Sequence, residues 1–310
     1  MFSVIFPGQG SQTVGMASEF YSKYDLFKKL YKEADEILNF NLTKLILEGP
    51  KEKIDLTENT QPAIFLVGYS IFQLLKQEFE IDLNKAKFFA GHSLGEYTAL
   101  ACAEALDFPS TLKILKIRGR AMQNAVINGS GGMLAILGSD IETIEKIFNE
   151  NKSNYTCYIA NDNSTGQLVA SGRTDDINKL SLDLTSKNIK NIKLKVSAPF
   201  HCNLMSKATE LMEREIERLE FRNLKNPIIS NVTANEIKDK SLLKNLLIKQ
   251  IESKVRWRES VSYMIDSGVD EFIEIGPGKV LSGLIKRINR NVKISAINKE
   301  EDISMVKIND

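Results

Sequence analysis

Residues Gly91-His92-Ser93-Leu94-Gly95 sit between a short apolar run and a helix-forming run, and this junction limits the folds open to the chain. Ala86 to Ala90 (A-K-F-F-A) reads as a buried strand, and Glu96 to Leu106 (E-Y-T-A-L-A-C-A-E-A-L) as a helix. A serine between two close glycines at a strand-to-helix turn is the nucleophile-elbow pattern. Such a turn is too tight for a Cβ at the flanking positions, so glycines occupy them. The Ser93 hydroxyl is then exposed at a sheet edge, above a helix N-terminus. The Leu94 amide and the positive end of that helix face any oxyanion formed at an acyl group on Ser93. A glycine-rich turn with a helix-capping serine would carry the same five letters. The strand before and the helix after are the context that the elbow requires.

The rest of the chain supplies a sheet for this turn. Residues 2–6 (F-S-V-I-F) read as a strand ended by Pro7 and the loop G-Q-G-S-Q. Helical patterns cover about 16–38, 60–78 and 110–126. Strands alternating with helices imply a parallel sheet covered on both faces. In the middle, 132–138 reads as a strand, 140–150 as a helix, and 155–160 and 167–171 as two strands around the turn-rich N-D-N-S-T-G. A helix at 175–188 and a strand at 191–196 complete the order βαββαβ, the ferredoxin-like arrangement. The expected division is a large α/β subdomain at 1–127 and 198–310 with a small inserted subdomain at 128–197. In the second large segment, a long helix runs to about 220. A strand at 228–231, helices near 241–253 and 257–267, a buried strand at 271–275, a helix opened by Gly276-Pro277-Gly278, and a last strand near 293–297 follow.

Composition removes several classes of function. With 41 basic and 40 acidic residues the net charge is +1, so no broad basic surface for nucleic acid is expected. The cysteines Cys102, Cys157 and Cys202 show no C-x-x-C spacing. That favours free thiols in a reducing compartment, with no zinc site and a cytoplasmic location. The segment M-F-S-V-I-F-P-G-Q-G lacks the layout of a signal peptide, and no run reaches membrane-span length.

A neutral serine hydroxyl needs a base. The chain has two histidines, His92 and His201. His201 follows a strand end and a proline and opens a helix, where α/β sheets gather reactive groups. His92, as the elbow neighbour, should point away from the Ser93 hydroxyl and serve structurally. A second oxyanion donor is expected from the loop after the first strand, Gly8-Gln9-Gly10-Ser11-Gln12, with Gln9 the choice. Arg118, late in a helix with an apolar face (Leu112, Leu115, Ala121, Met122), is a candidate enclosed guanidinium. Such a fork suits a carboxylate.

Five motifs in order carry a family resemblance: F-P-G-Q-G-S-Q at 6–12, G-H-S-L-G-E-Y at 91–97, R-G-R-A-M-Q at 118–123, A-P-F-H at 198–201 and I-G-P-G at 275–278. Together they resemble the malonyl-CoA:acyl carrier protein transacylases of type II fatty acid synthesis, over essentially the whole chain. The resemblance implies a hydrolase-like large subdomain, with a mostly parallel sheet flanked by helices, and a ferredoxin-like insert. It implies Ser93 as nucleophile, His201 as base, Arg118 on the malonyl carboxylate, and the Gln9 and Leu94 amides as the oxyanion hole. It adds Gln250 as the source of the oxygen that orients His201, and Asn161 and Asn163 as lining the cleft. Thr165 stands where many members have proline. Phe200 is expected to narrow the space around the malonyl α-carbon. No cofactor is expected, since coenzyme A belongs to substrate and product.

The implied partners are malonyl-CoA and holo-acyl carrier protein, the latter docking at Lys286, Arg287, Arg290 and Lys293. A monomer with no nucleic-acid or membrane partner is expected. Three rivals remain at this stage: a polyketide synthase acyltransferase, a hydrolase on the same elbow, and a catalytically dead scaffold that binds carrier protein.

Overall fold

The computed structural model describes residues 1–196 and 198–306. Among the described residues, ten strands form two sheets: β1 (Phe2–Phe6), β2 (Phe88–Gly91), β3 (Gly131–Leu137), β4 (Cys157–Ser164), β5 (Gln167–Arg173), β6 (Lys190–Lys193), β7 (Ile228–Ile229), β8 (Glu236–Ile237), β9 (Glu271–Ile275) and β10 (Lys293–Ile297). The larger sheet has the order β10-β9-β1-β2-β7-β8, and all neighbours in it are parallel except β7 and β8. Its central strand β1 sends Val4 and Phe6 into one apolar core and Ile5 into another on the opposite face. Successive side chains alternate across a strand, so a strand with apolar residues on both faces is stable only when both are covered. Helices Thr57–Gln77, Leu94–Cys102 and Phe108–Gln123 cover the first face, and Trp257–Asp266 and Val280–Ile288 cover the second. The register pairs Phe6 with Gly91 and Ile5 with Glu274. The carboxyl ends of β1, β2 and β9 therefore finish together, and their loops meet.

The smaller sheet has the order β4-β5-β3-β6 with every pair antiparallel, the ferredoxin-like order. Leu134, Ile136, Leu168 and Ala170 pack on helices Ile141–Glu150 and Thr174–Ser186. Met133 and Val169, on the opposite face, join the core of the larger sheet.

Several elements depart from the sequence reading. The helix expected over 16–38 is two, Ser18–Lys23 and Asp25–Leu38, broken at an extended Tyr24. The N-D-N-S-T-G run is not a turn up to Gly166, because β4 continues to Ser164. Tertiary contacts override the turn-forming letters: Asp162 takes a forked ion pair from Arg258, and its N–H bonds the Val255 carbonyl. The strand expected at 228–231 is only Ile228–Ile229 and is followed by the unexpected short β8. After Lys193 only the Leu194 N–H still bonds β3, at the Met133 carbonyl, and residues 195–196 leave the sheet.

Candidate active site

The turn after β2 is held by close backbone approach. A Cβ on Gly91 would lie 2.0 Å from the Gly95 carbonyl, and one on Gly95 would lie 2.3 Å from the Phe6 oxygen. Only glycine fits at either place. Ser93 itself has φ 53° and ψ −109°, a backbone conformation that L-residues seldom adopt. Asn231, just beyond β7, fastens the turn from the side: its Oδ1 accepts from the Ser93 N–H at 2.7 Å, and its Nδ2 donates to the Gly91 carbonyl at 2.8 Å. Strain of this kind persists where the surroundings fix it, and it recurs at reactive residues.

His201 comes from 108 residues further along the chain to meet this serine. Its Nε2 lies 2.9 Å from Ser93 Oγ, and its Nδ1 lies 2.9 Å from the main-chain oxygen of Gln250. A carbonyl only accepts, so Nδ1 carries the hydrogen and Nε2 is left to accept from the serine. Burial, and then the nearby Arg118 charge, lower the His201 pKa to about 3. The imidazole is therefore neutral in the free enzyme near pH 7.

Arg118 is 1% exposed. Its Nη1 donates to Gln61 Oε1 at 2.8 Å, and its Nη2 donates to Ser93 Oγ at 3.1 Å and Gln250 Oε1 at 2.9 Å. The guanidinium carbon lies 5.4 Å from the Tyr97 ring centroid. The Gln250 Nε2 donates to the Ser93 carbonyl and to Glu96 Oε2, and the latter also accepts from the Asn231 N–H. Burial raises the Glu96 carboxyl to about 7, against the pull of these donors and of Arg118.

Ser93, His201 and Arg118 open into a narrow pocket of about 100 Å³. The larger sheet's side lines it with Gln9, Leu94 and Phe200, and the smaller sheet's side supplies Met133, Asn161, Leu194 and Val196. Leu94 is the first helical residue after the elbow, a position whose N–H has no acceptor within the helix. Gly8 lets the β1 loop reach the elbow, since a Cβ there would lie 2.6 Å from the His92 oxygen.

Of the residues expected in the cleft, Asn163 is not among those lining the pocket. Its Oδ1 pairs with His92 Nε2 at 2.8 Å, and the His92 ring sits 5.8 Å from the Trp257 ring. The β4 pairing shifts register between Ile159 and Asn161 and again between Asp162 and Ser164, so Asn163 is itself an unpaired residue of the strand. Lys286, Arg287, Arg290 and Lys293 also lie outside the pocket. Lys286 donates to the Val292 carbonyl, Arg287 bonds Gln167 across to the small sheet, and Arg290 and Lys293 are exposed.

Gln61, Glu96 and Asn231 were not singled out from the sequence. Gln61 and Glu96 carry a signal: each is a polar residue in a helix whose other residues are mostly buried and apolar. Asn231 lies in a short irregular stretch and carries none. Among the described residues, no helix is long and apolar enough to cross a membrane.

Comparison with known proteins agrees with this geometry. The family model described as "Acyl transferase domain" matches residues 3–304. The malonyl CoA-acyl carrier protein transacylase of Bacillus subtilis (strain 168) is 40% identical over 304 residues, covering 97% of this chain and 94% of its own. The acyl-carrier-protein-S-malonyltransferase of Bartonella henselae superposes with a TM-score of 0.95 at 36% identity, over 98% of this chain and 97% of its own. A malonyl-transacylase solved in complex with its type II PKS acyl-carrier protein gives a TM-score of 0.94 at 33% identity, over 98% of both chains.

Proposed function

The chain belongs to the acyl transferase family, and from that premise we propose that it moves malonyl groups from malonyl-CoA to the phosphopantetheine thiol of acyl carrier protein. The reaction is a double displacement through a malonyl ester on Ser93. Ser93 Oγ attacks the thioester carbonyl while its proton passes to His201 Nε2. The oxyanion of the tetrahedral intermediate is received by the Gln9 and Leu94 amides. Each such donor is typically worth about 3 kcal/mol of barrier. The intermediate collapses with loss of the CoA sulfur, which takes the proton back from the imidazolium. The carrier thiol then repeats the sequence in reverse, and Ser93 is released.

Arg118 carries the reading. A fully enclosed guanidinium 3.1 Å from the nucleophile, facing a pocket of about 100 Å³, suits an acyl group that brings its own carboxylate. The diacid also assists the base. Arg118 is the second cause of the low His201 pKa, so an anion beside that arginine makes the imidazole a better proton acceptor. Gln250 orients His201 through its main-chain oxygen. Phe200 and Asn161 shape the space around the acyl chain, and Asn163 acts on it only through His92.

Carrier protein docks at Lys286, Arg287, Arg290 and Lys293, and the enzyme works as a cytoplasmic monomer. No cofactor beyond the substrate's own coenzyme A is needed. A second reading, transfer to a polyketide carrier, is favoured by the likeness to the complex with a type II PKS carrier and shares every chemical step.

Intact-mass spectrometry after mixing with malonyl-CoA tests the proposal. One malonyl adduct is expected, located on Ser93 after digestion, chased off by holo-carrier protein, and absent in Ser93→Ala. No adduct on the wild type, or free malonate released faster than transfer, overturns it. Parallel chases with fatty-acid and polyketide carriers decide between the two partners.

A further inference from the structure

We infer that Glu96 is a positioning residue: its carboxylate holds the Gln250 carboxamide in the one orientation that presents an oxygen to Arg118. The inference rests on the malonyl-transfer reading above. Glu96 lies in the first turn of the elbow helix and is 1% exposed. Its Oε2 accepts from Gln250 Nε2 at 2.7 Å and from the Asn231 N–H at 3.1 Å. The other end of the same carboxamide, Oε1, accepts from Arg118 Nη2 at 2.9 Å.

The chemistry of the two flanking groups settles which way the amide faces. Glu96 Oε2 already accepts from the main-chain Asn231 N–H, which fixes it as an acceptor, and a guanidinium only donates. Turned over, the amide would set its NH₂ against the guanidinium and its oxygen against the carboxylate. Two hydrogen bonds would become two repulsions in a buried site, where an unmet polar group costs most. Glu96, together with the Ser93 carbonyl that accepts from the same Nε2 at 3.1 Å, thus selects the face that Gln250 shows to Arg118. Gln61 holds the other arm of the fork, and Ser93 Oγ lies under the same Nη2.

The interposed amide has a second consequence. A glutamate bonded directly to Arg118 would occupy the fork with a resident anion. Here the anion is one amide away. The guanidinium is held by neutral acceptors only, so an incoming carboxylate displaces amide and hydroxyl oxygens and no resident carboxylate. Glu96 also sits at a helix N-terminus, where a negative charge is favoured.

The test compares malonyl and acetyl transfer to holo-carrier protein. Glu96→Ala is expected to lower malonyl kcat/KM by on the order of tenfold, mostly through KM, the size of a lost hydrogen bond to a charged group. Acetyl transfer should change by less than about threefold, because acetyl does not use the arginine fork. Glu96→Gln, which keeps an oxygen for both donors, should stay within about threefold of wild type for both substrates. In a Gln250→Ala background, Glu96→Ala should add almost nothing. Equal losses for malonyl and acetyl, or additive losses in the double variant, overturn the inference. If Glu96→Ala does not accumulate folded, Glu96→Asp retracts the oxygen by one methylene and should show the same malonyl-specific loss. A wild type that forms no malonyl ester defeats the function reading itself, whereas a malonylating wild type without the split in Glu96 variants defeats only this inference.

Discussion

Arg118 and the pair Lys286 and Arg287 stand in similar places: the second half of a helix with one apolar face. Their surroundings differ completely. Arg118 is sealed among Gln61, Gln250, Ser93 and the Tyr97 ring, while Lys286 and Arg287 lie at the surface beside the exposed Arg290 and Lys293. Two unit charges 4 Å apart interact by about 1 kcal/mol in water and by about 4 kcal/mol at an effective dielectric near 20. On the proposed function, the enclosed guanidinium would discriminate between acyl groups, and the four exposed cations would act on encounter. Placement decides this, and the number of charges does not.

The sharpest way to break the contrast is Arg118→Ala. Malonyl kcat/KM should fall by about 10²–10³, the usual range for removing one partner of a buried charge pair. Acetyl transfer should fall by no more than about tenfold, since it loses only the packing around Ser93. Competition kinetics with both thioesters reads the ratio directly. Equal losses would remove Arg118 from substrate recognition and reduce it to a structural cation.

The buried side of the comparison also has a pH signature. Glu96 has a folded pKa of about 7, above its unfolded value of 4.5. Between these values the folded state holds the extra proton, so this group's contribution to stability is lost as pH rises through that window. His201 behaves oppositely. Its folded pKa of about 3 lies below the unfolded 6.5, so its contribution is lost as pH falls from 6.5 toward 3. Glu96→Gln removes the first effect and keeps the second. Relative to wild type, its Tm should therefore be higher at pH 8 than at pH 5, by a few degrees. The opposite trend would mean that the fold favours the ionised carboxylate and would contradict the burial argument.

The same contrast explains what was legible in the sequence. Local geometry could be read: two glycines around Ser93 can occupy only a tight turn, and strands alternating with helices, with the largely apolar run of β1, fit a covered parallel sheet. His201 followed by elimination, because the chain has one other histidine. What could not be read is closure across long sequence distances. Glu96 and Gln250 are separated by 154 residues and Arg118 and Gln250 by 132, and no periodicity encodes those meetings. Asn161 and Asn163 show the same limit at short range. Strict alternation would send both to one face, and the register shift in β4 separates them. Turn-forming letters in N-D-N-S-T-G also misled, because the Arg258 fork on Asp162 holds that segment extended.

The smallest effect belongs to the surface cations and gives the contrast its second arm. Arg290→Glu with Lys293→Glu should raise the apparent KM for holo-carrier protein about three- to tenfold at low salt. The rise should shrink as ionic strength grows, because the Debye length falls from about 10 Å at 0.1 M to about 3 Å at 1 M. Formation of the malonyl ester from malonyl-CoA should not change, since these residues lie outside the pocket that holds Ser93. Stopped-flow acylation and carrier titration separate the two half-reactions. If both slow equally, the cations do not steer the carrier. If neither changes even at low salt, the helix face is simply solvated, and recognition of the carrier protein must be sought on another surface around the pocket mouth.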